Sequence, residues 1–381
     1  MDTKLYRYSI ILLCSLGSIA CEQESSPSIE APQERAETAT HHNAQTQQIS
    51  NAMFKAGADA LDESVRNFIA LKSAIEKFIA APNQDKLIAA QQIWLKAVLS
   101  YRHFFYFRHI GLVAPDKLPQ LNQLDYQLAS FPIQPGFLDT FGDYPYSGLV
   151  HDISFPLSKQ SLSNQHGLTD LSEVVLGLYA LEFMLFDSGR ERNYEDFLQV
   201  DTLDKEHKER GFEQLQEIPN NRRRQLLSLQ AEILIDDAKL LLSLWQSPAQ
   251  ETTYKRWNDL SASDKHTIAA SALESALTQV LLEIGSLNQH EDQETVISPH
   301  ILGGVSTTDK LNAQRNFITY SLESMLNAIK FLPDGIANQI SLNLTNAIEV
   351  STKPEFSNNP KEYWQEVFAK VKQSVDLIPQ S

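Results

Sequence analysis

The sequence predicts an all-α protein built from two packed helical-bundle domains. Apolar residues recur every three or four positions through most of the chain, runs of alternating β-branched residues are missing, and 42% of the 381 residues are hydrophobic. The first pattern gives each helix one apolar stripe to bury. The second removes the signature of a half-buried strand. The third supplies core enough for two domains of ordinary size.

Residues 1–20 read as a secretory signal. Lys4 and Arg7 precede the apolar run Ile10-Ile11-Leu12-Leu13-Cys14-Ser15-Leu16-Gly17-Ser18-Ile19-Ala20. That run is too short to span a bilayer, which needs about 20 apolar residues. Cys21 directly after Ala20 makes the segment resemble a bacterial lipoprotein signal, with Cys21 the lipidated first residue. Ser18 departs from the Leu such signals prefer, and Glu22 after the cysteine implies outer-membrane sorting. Cleavage discards Cys14 and lipid consumes Cys21, so no thiol is left for catalysis or a disulfide.

Residues 21–48 hold Ser, Glu, Gln, Thr, Ala and Pro with almost nothing apolar, and are expected to form a disordered tether. At this length it would reach roughly 30 Å from the membrane. His41-His42 lies within it, and in a mobile tail an adjacent pair is a weak metal candidate.

The N-terminal bundle is expected over 49–205. Leu61, Val65, Phe68, Leu71, Ile75 and Phe78 form one stripe, and after Pro82 a second runs through Leu87, Ala90, Trp94, Ala97, Tyr101 and Phe104. These predict an antiparallel helix pair. Between 108 and 168 six prolines and five glycines interrupt the periodicity, which predicts a long loop. Loops of that length in compact domains are more often functional than idle. Its aromatics (Phe131, Phe137, Phe141, Tyr144, Tyr146, Phe155) predict that it packs on the bundle. Helical spacing resumes over 169–187. The polar stretch 188–221 reads as the connection between halves. The C-terminal bundle is expected over 206–381, with helices near 222–246, 263–288, 309–331, 335–350 and 360–377.

With 32 Lys and Arg against 48 Asp and Glu, the net charge of −16 excludes nucleic acid, whose phosphates need a basic face. The chain has no C-x-x-C, no zinc-finger spacing, no phosphate-cradling glycine loop and no H-E-x-x-H pair.

The most informative residues are Phe131-Pro132-Ile133-Gln134-Pro135-Gly136-Phe137-Leu138-Asp139, then Ser147-Gly148-Leu149-Val150-His151-Asp152, then Gly177-Leu178-Tyr179-Ala180-Leu181-Glu182-Phe183-Met184-Leu185. Together they resemble the imelysin-like family, also filed as peptidase family M75 and including iron-regulated surface lipoproteins. The family's pieces read W-P-I-x-P-G-x-I-D, S-G-I-I-x-D and G-x-H-x-x-E-F-L-L. Arg222-Arg223-Arg224-Gln225-Leu226-Leu227 is similar to its R-R-x-Y-L helix, and Ser306-Thr307-Thr308-Asp309 with Asn312 to its D-N-T-x-x-D segment. The resemblance covers roughly residues 50–375 and implies two helical bundles with a site in the crevice between them, beside the 131–152 loop.

The resemblance marks Gly177, Tyr179, Glu182, Ser147, Asp152, Asp139 and Asp309 as ligand-binding candidates, with Glu182 the candidate metal ligand. His and Glu three apart on one helix face could share a metal or a proton. Here the His position is Tyr179, and neutral Tyr is a poor zinc ligand. Family members commonly carry Arg and Glu four and about eleven residues after the Trp, where this chain has Val98 and Phe105. Joint loss of such partners points to a site rebuilt for another use.

Each candidate also has a plainer reading. Glu182 in an apolar stretch could form a buried salt bridge, and Tyr179 could be core. Asp139, Ser147 and Asp152 suit turns. Arg222-Arg223-Arg224 could hold an anion, though such clusters more often pair with neighbouring carboxylates. Tyr101 to His109 mixes aromatics with His and could grip haem, though aromatic stripes are usually core. One of Asp236-Asp237 must approach an apolar face, with Lys239 or an Arg as its partner.

These readings combine into a lipid-anchored envelope protein, at the outer membrane and facing periplasm or surface. It would be a non-catalytic ligand- or metal-binding component of an iron-uptake system. Its partners would be the membrane, through the lipid, and iron-uptake proteins. The implied cofactor is a metal ion, iron or zinc. An M75-type metallopeptidase, disfavoured by Tyr179 and the missing H-E-x-x-H, and an envelope scaffold are the alternatives.

Overall fold

The computed structural model describes residues 32–186, 192–289 and 307–378. The signal segment, Cys21 and Ser306 lie outside them. The chain divides into two units, residues 1–43 and 44–381. Of the first, the opening turns of the first helix are described. The second is a single compact body and holds the hydrophobic core.

Fourteen α-helices and no strand are found among the described residues; Phe141 and Tyr144 form one isolated bridge. The helices are α1 (Pro32–Ala80), α2 (Gln84–Arg102), α3 (Phe105–Val113), α4 (Pro119–Ala129), α5 (Pro135–Leu138), α6 (Lys159–Gln165) and α7 (Gly177–Phe186). There follow α8 (Lys205–Glu209), α9 (Pro219–Gln246), α10 (Thr253–Asp259), α11 (Ala262–Gln289), α12 (Thr307–Leu326), α13 (Asp334–Thr352) and α14 (Pro360–Val375).

Both apolar stripes are buried, from Leu61 to Phe78 on α1 and from Leu87 to Tyr101 on α2, with Phe104 just beyond it. Asn83 caps α2 by accepting from the Lys86 amide. The expected pair is therefore present, but α1 starts at Pro32, inside the stretch read as a tether. Thr46 and Ser50 are buried, Gln47 donates to Asn258, and Trp257 donates to Ser50. Polar contacts, not an apolar stripe, anchor this part of α1, so periodicity did not reveal it.

The 108–168 stretch is not one long loop. α3 runs to Val113, and α4, α5 and α6 lie within the stretch. The prolines read as breakers include helix starts: Pro119 and Pro135 occupy the first turn of α4 and α5, where the missing N–H costs nothing. The second stripe is also interrupted. α2 ends at Arg102 and α3 begins at Phe105. The Ser324 hydroxyl of α12 closes that break, donating to the His103 carbonyl at 2.8 Å and accepting from the Tyr106 amide at 3.1 Å. It thus satisfies backbone groups that a helix break leaves orphaned.

α2, α4, α7 and α9 pack on one another, while α11 to α14 form a second group on which α3 rests. α9, which follows residue 205, packs with α4 and α7. α2 and α3 also touch α12, so the groups share one continuous core.

Candidate functional site

The motif loop is held from α9. Asp139 is fully buried and takes two bonds from Arg223, Nε to Oδ2 at 2.6 Å and Nη2 to Oδ1 at 2.9 Å. Arg192 and His151 approach the same carboxylate at 3.4 Å. Burial alone would raise the Asp139 pKa; hydrogen bonds from His151 and Arg223, with the charges of Arg223 and Arg192, hold it well below the carboxylate range. Ser147 Oγ donates to the Asp139 and Tyr144 carbonyls. Gly148 has φ +82°, and a Cβ there would lie 2.4 Å from the Asp139 amide nitrogen. Asp152 is exposed, and its Oδ1 accepts from the amide and hydroxyl of Ser154.

Arg222 donates to the carbonyls of Leu149, Val150, Asp152 and Phe155. Arg224 donates to those of Ile79 and Phe197. Arg222 and Arg223 therefore fasten the loop to α9, while Arg224 ties α9 to the end of α1 and to Phe197. Asp139, Ser147 and Asp152 serve the turn, as their residue types suggested.

α7 is wholly buried. Gly177 has φ +87°, and a Cβ on it would lie 2.5 Å from the Gln127 carbonyl oxygen and 2.6 Å from that of Leu128. Its role is close approach of α4, not room for a ligand. Trp94 donates to the Leu178 carbonyl at 2.7 Å and fixes α2 against α7. Glu182 is 6% exposed, and its Oε1 is buried without a hydrogen-bond partner. Burial raises its pKa well above the carboxylate range, so the side chain is held toward its neutral acid form. The buried salt bridge that the sequence allowed is absent among the described residues. Asp309 lies at the start of α12, and its side chain is outside the described residues.

Tyr179 opens onto a cavity of about 750 Å³ lined by residues of α2, α3, α4, α7 and α11 and by the start of the motif loop. Its ring meets Phe131 edge-on at 5.5 Å. Two ion pairs form the polar wall. Arg102 bonds Glu283 of α11 at 2.7 Å and Ser321 at 2.8 Å, its guanidinium sandwiched between the rings of Phe105 and Phe317. Arg108 meets Asp125 of α4 at 2.9 Å, and the Tyr101 hydroxyl donates to the other oxygen of that carboxylate. Burial keeps the Tyr179 phenol protonated beyond its ordinary range, although Arg102 and Arg108 pull the other way. Val98 and Phe105, where family members carry Arg and Glu, are core.

Sequence reading placed Arg102 and Arg108 in an aromatic segment weighed only for haem, and it missed Asp125 and Glu283. The available signal was an acid on an apolar stripe: Asp125 falls among Leu121, Leu124 and Leu128, and Glu283 beside Val280 and Ile284. Such residues need a buried cation nearby. Among the described residues no three His, Cys, Asp or Glu side chains converge as a metal site would require.

Residues 57–344 match the family model described as Imelysin. Among solved structures, the chain is similar to that of an iron-regulated protein A precursor from Parabacteroides distasonis ATCC 8503. The TM-score is 0.52 at 14% identity, covering 87% of this chain and 93% of that one. At that identity the likeness speaks for the fold. No curated protein matches the chain.

Proposed function

Since the chain belongs to the imelysin family, we propose that it is a non-catalytic, lipid-anchored envelope protein that binds a small ligand as part of an iron-acquisition system. The observation that carries this reading is the cavity at Tyr179, whose polar wall is two buried ion pairs that are costly to maintain unless geometry or use demands them. The iron connection is supported by the description of the fold neighbour, and the anchor by the Cys21 signal.

The peptidase filing implies a catalytic metal, and the residues do not fit one. The motif position holds a protonated phenol, Glu182 is pushed toward its neutral form, and the two carboxylates of the cavity wall are engaged by arginines.

Titration of the purified protein with iron and zinc, beside digestion of an unstructured protein substrate, tests this reading. Neither metal should bind tightly at Glu182, and Glu182→Gln should change nothing in the titration. Digestion that disappears in Glu182→Ala would overturn the non-catalytic assignment. Cys21→Ser should move the protein from the membrane fraction to the soluble one.

A further inference from the structure

We infer that the cavity binds a small organic carboxylate, its acid group bonded by Arg102, Arg108 and Tyr179. This rests on the reading that the cavity is a binding site. The inference comes from which donors and acceptors in the wall are already engaged. Asp125 Oδ1 accepts from Tyr101 and Oδ2 from Arg108. Glu283 Oε2 accepts from Arg102 and Oε1 from Gln279. Asp170 Oδ1 is held by the amide and hydroxyl of Ser172.

The donors are not used up. Arg102 donates through Nε and Nη2, and Arg108 meets Asp125 through Nε and Nη2, which leaves Nη1 of each without a partner among the described residues. The Tyr179 hydroxyl has none either, and burial keeps its proton in place. The wall thus offers three O–H or N–H groups without a partner, beside the amide side chains of Asn122, Gln123 and Gln279, which can either donate or accept. Asp125 and Glu283 are each already paired with an arginine, whereas a carboxylate ligand supplies the acceptors that two guanidinium nitrogens and a phenol require. A volume of about 750 Å³ suits a small molecule rather than a lone ion. Phe131, with Leu112 and the exposed Leu171, gives an apolar surface for the rest of the ligand.

The test is calorimetric titration of the full chain with benzoate, succinate and citrate, against benzamide, succinamide and inorganic phosphate. Tyr179→Phe removes only the hydroxyl, and Arg108→Lys keeps the charge facing Asp125 while giving up the guanidinium fork. At least one carboxylate should bind, its amide counterpart should not, and each variant should weaken binding about tenfold or more while circular dichroism shows it folded at the titration temperature. Binding of the amides instead, sensitive to the same variants, would overturn the ligand class and leave the cavity reading standing. Phosphate binding without carboxylate binding would do likewise. Carboxylate binding indifferent to both variants would overturn the placement. Failure of every compound to bind at millimolar concentration would count against both the class and the cavity reading.

Discussion

Replacing Glu182 should stabilise the protein, and the gain should depend on pH. Its Oε1 is buried with no partner, in a helix whose ten residues are all buried. An unsatisfied buried polar group costs about 1–3 kcal/mol. A second cost comes from linkage. The folded pKa is raised, so below the ordinary carboxylate range both states are protonated and the group is neutral in the balance. As pH rises, the unfolded chain ionises while the folded chain stays protonated, and stability falls by up to about 1.4 kcal/mol per pH unit until the raised pKa is reached. Glu182→Met removes both costs at similar volume, and Glu182→Gln removes only the second. Urea unfolding at several pH values between 4 and 8 separates them. Met should be the most stable variant at every pH, and both variants should gain on wild type as pH increases. A destabilised Met variant, or a gain independent of pH, would mean that Glu182 is ionised and paired, and the electrostatics drawn for α7 would be wrong.

The same geometry fixes three more outcomes. Asp139→Ala removes the buried carboxylate that Arg223 grips through two nitrogens and should cost about 3–5 kcal/mol, with faster proteolysis of the 131–155 loop. In wild type the Asp139 contribution is complete above the ordinary carboxylate range and is lost only as pH falls toward its lowered pKa, which acid unfolding reads. Gly177→Ala should destabilise by more than about 1 kcal/mol, since φ is +87° and the new Cβ would press on two α4 carbonyls; thermal unfolding checks it. Tyr179→His restores the family residue, yet zinc affinity by equilibrium dialysis should match wild type, because Glu182 is held toward its neutral form and Asp125 and Glu283 are engaged by arginines.

Much of the fold was legible because a helix announces its buried face locally. The stripes from Leu61 to Phe78 and from Leu87 to Phe104 needed only spacing. What spacing could not show was the polar anchoring of α1 at Thr46 and Gln47, or that Ser324, more than 200 residues away, closes the break between α2 and α3. Prolines misled in the 108–168 stretch because the same residue breaks a helix inside and starts one at its first turn. The motif residues were visible, but their division of labour was not. Asp139 and Ser147 resemble site residues in sequence, whereas in space they secure a loop. Arg102 and Glu283, which build the cavity wall, lie 181 positions apart, and only topology joins them.

Native mass spectrometry of the full-length protein purified from its own envelope addresses the central claim, that the Tyr179 cavity is a ligand site. A discrete small-molecule adduct should accompany the wild-type chain and be lost from the folded Tyr179→Phe, Arg108→Lys double variant. A bare wild-type mass that no carboxylate shifts, or an adduct that the double variant retains, would contradict it.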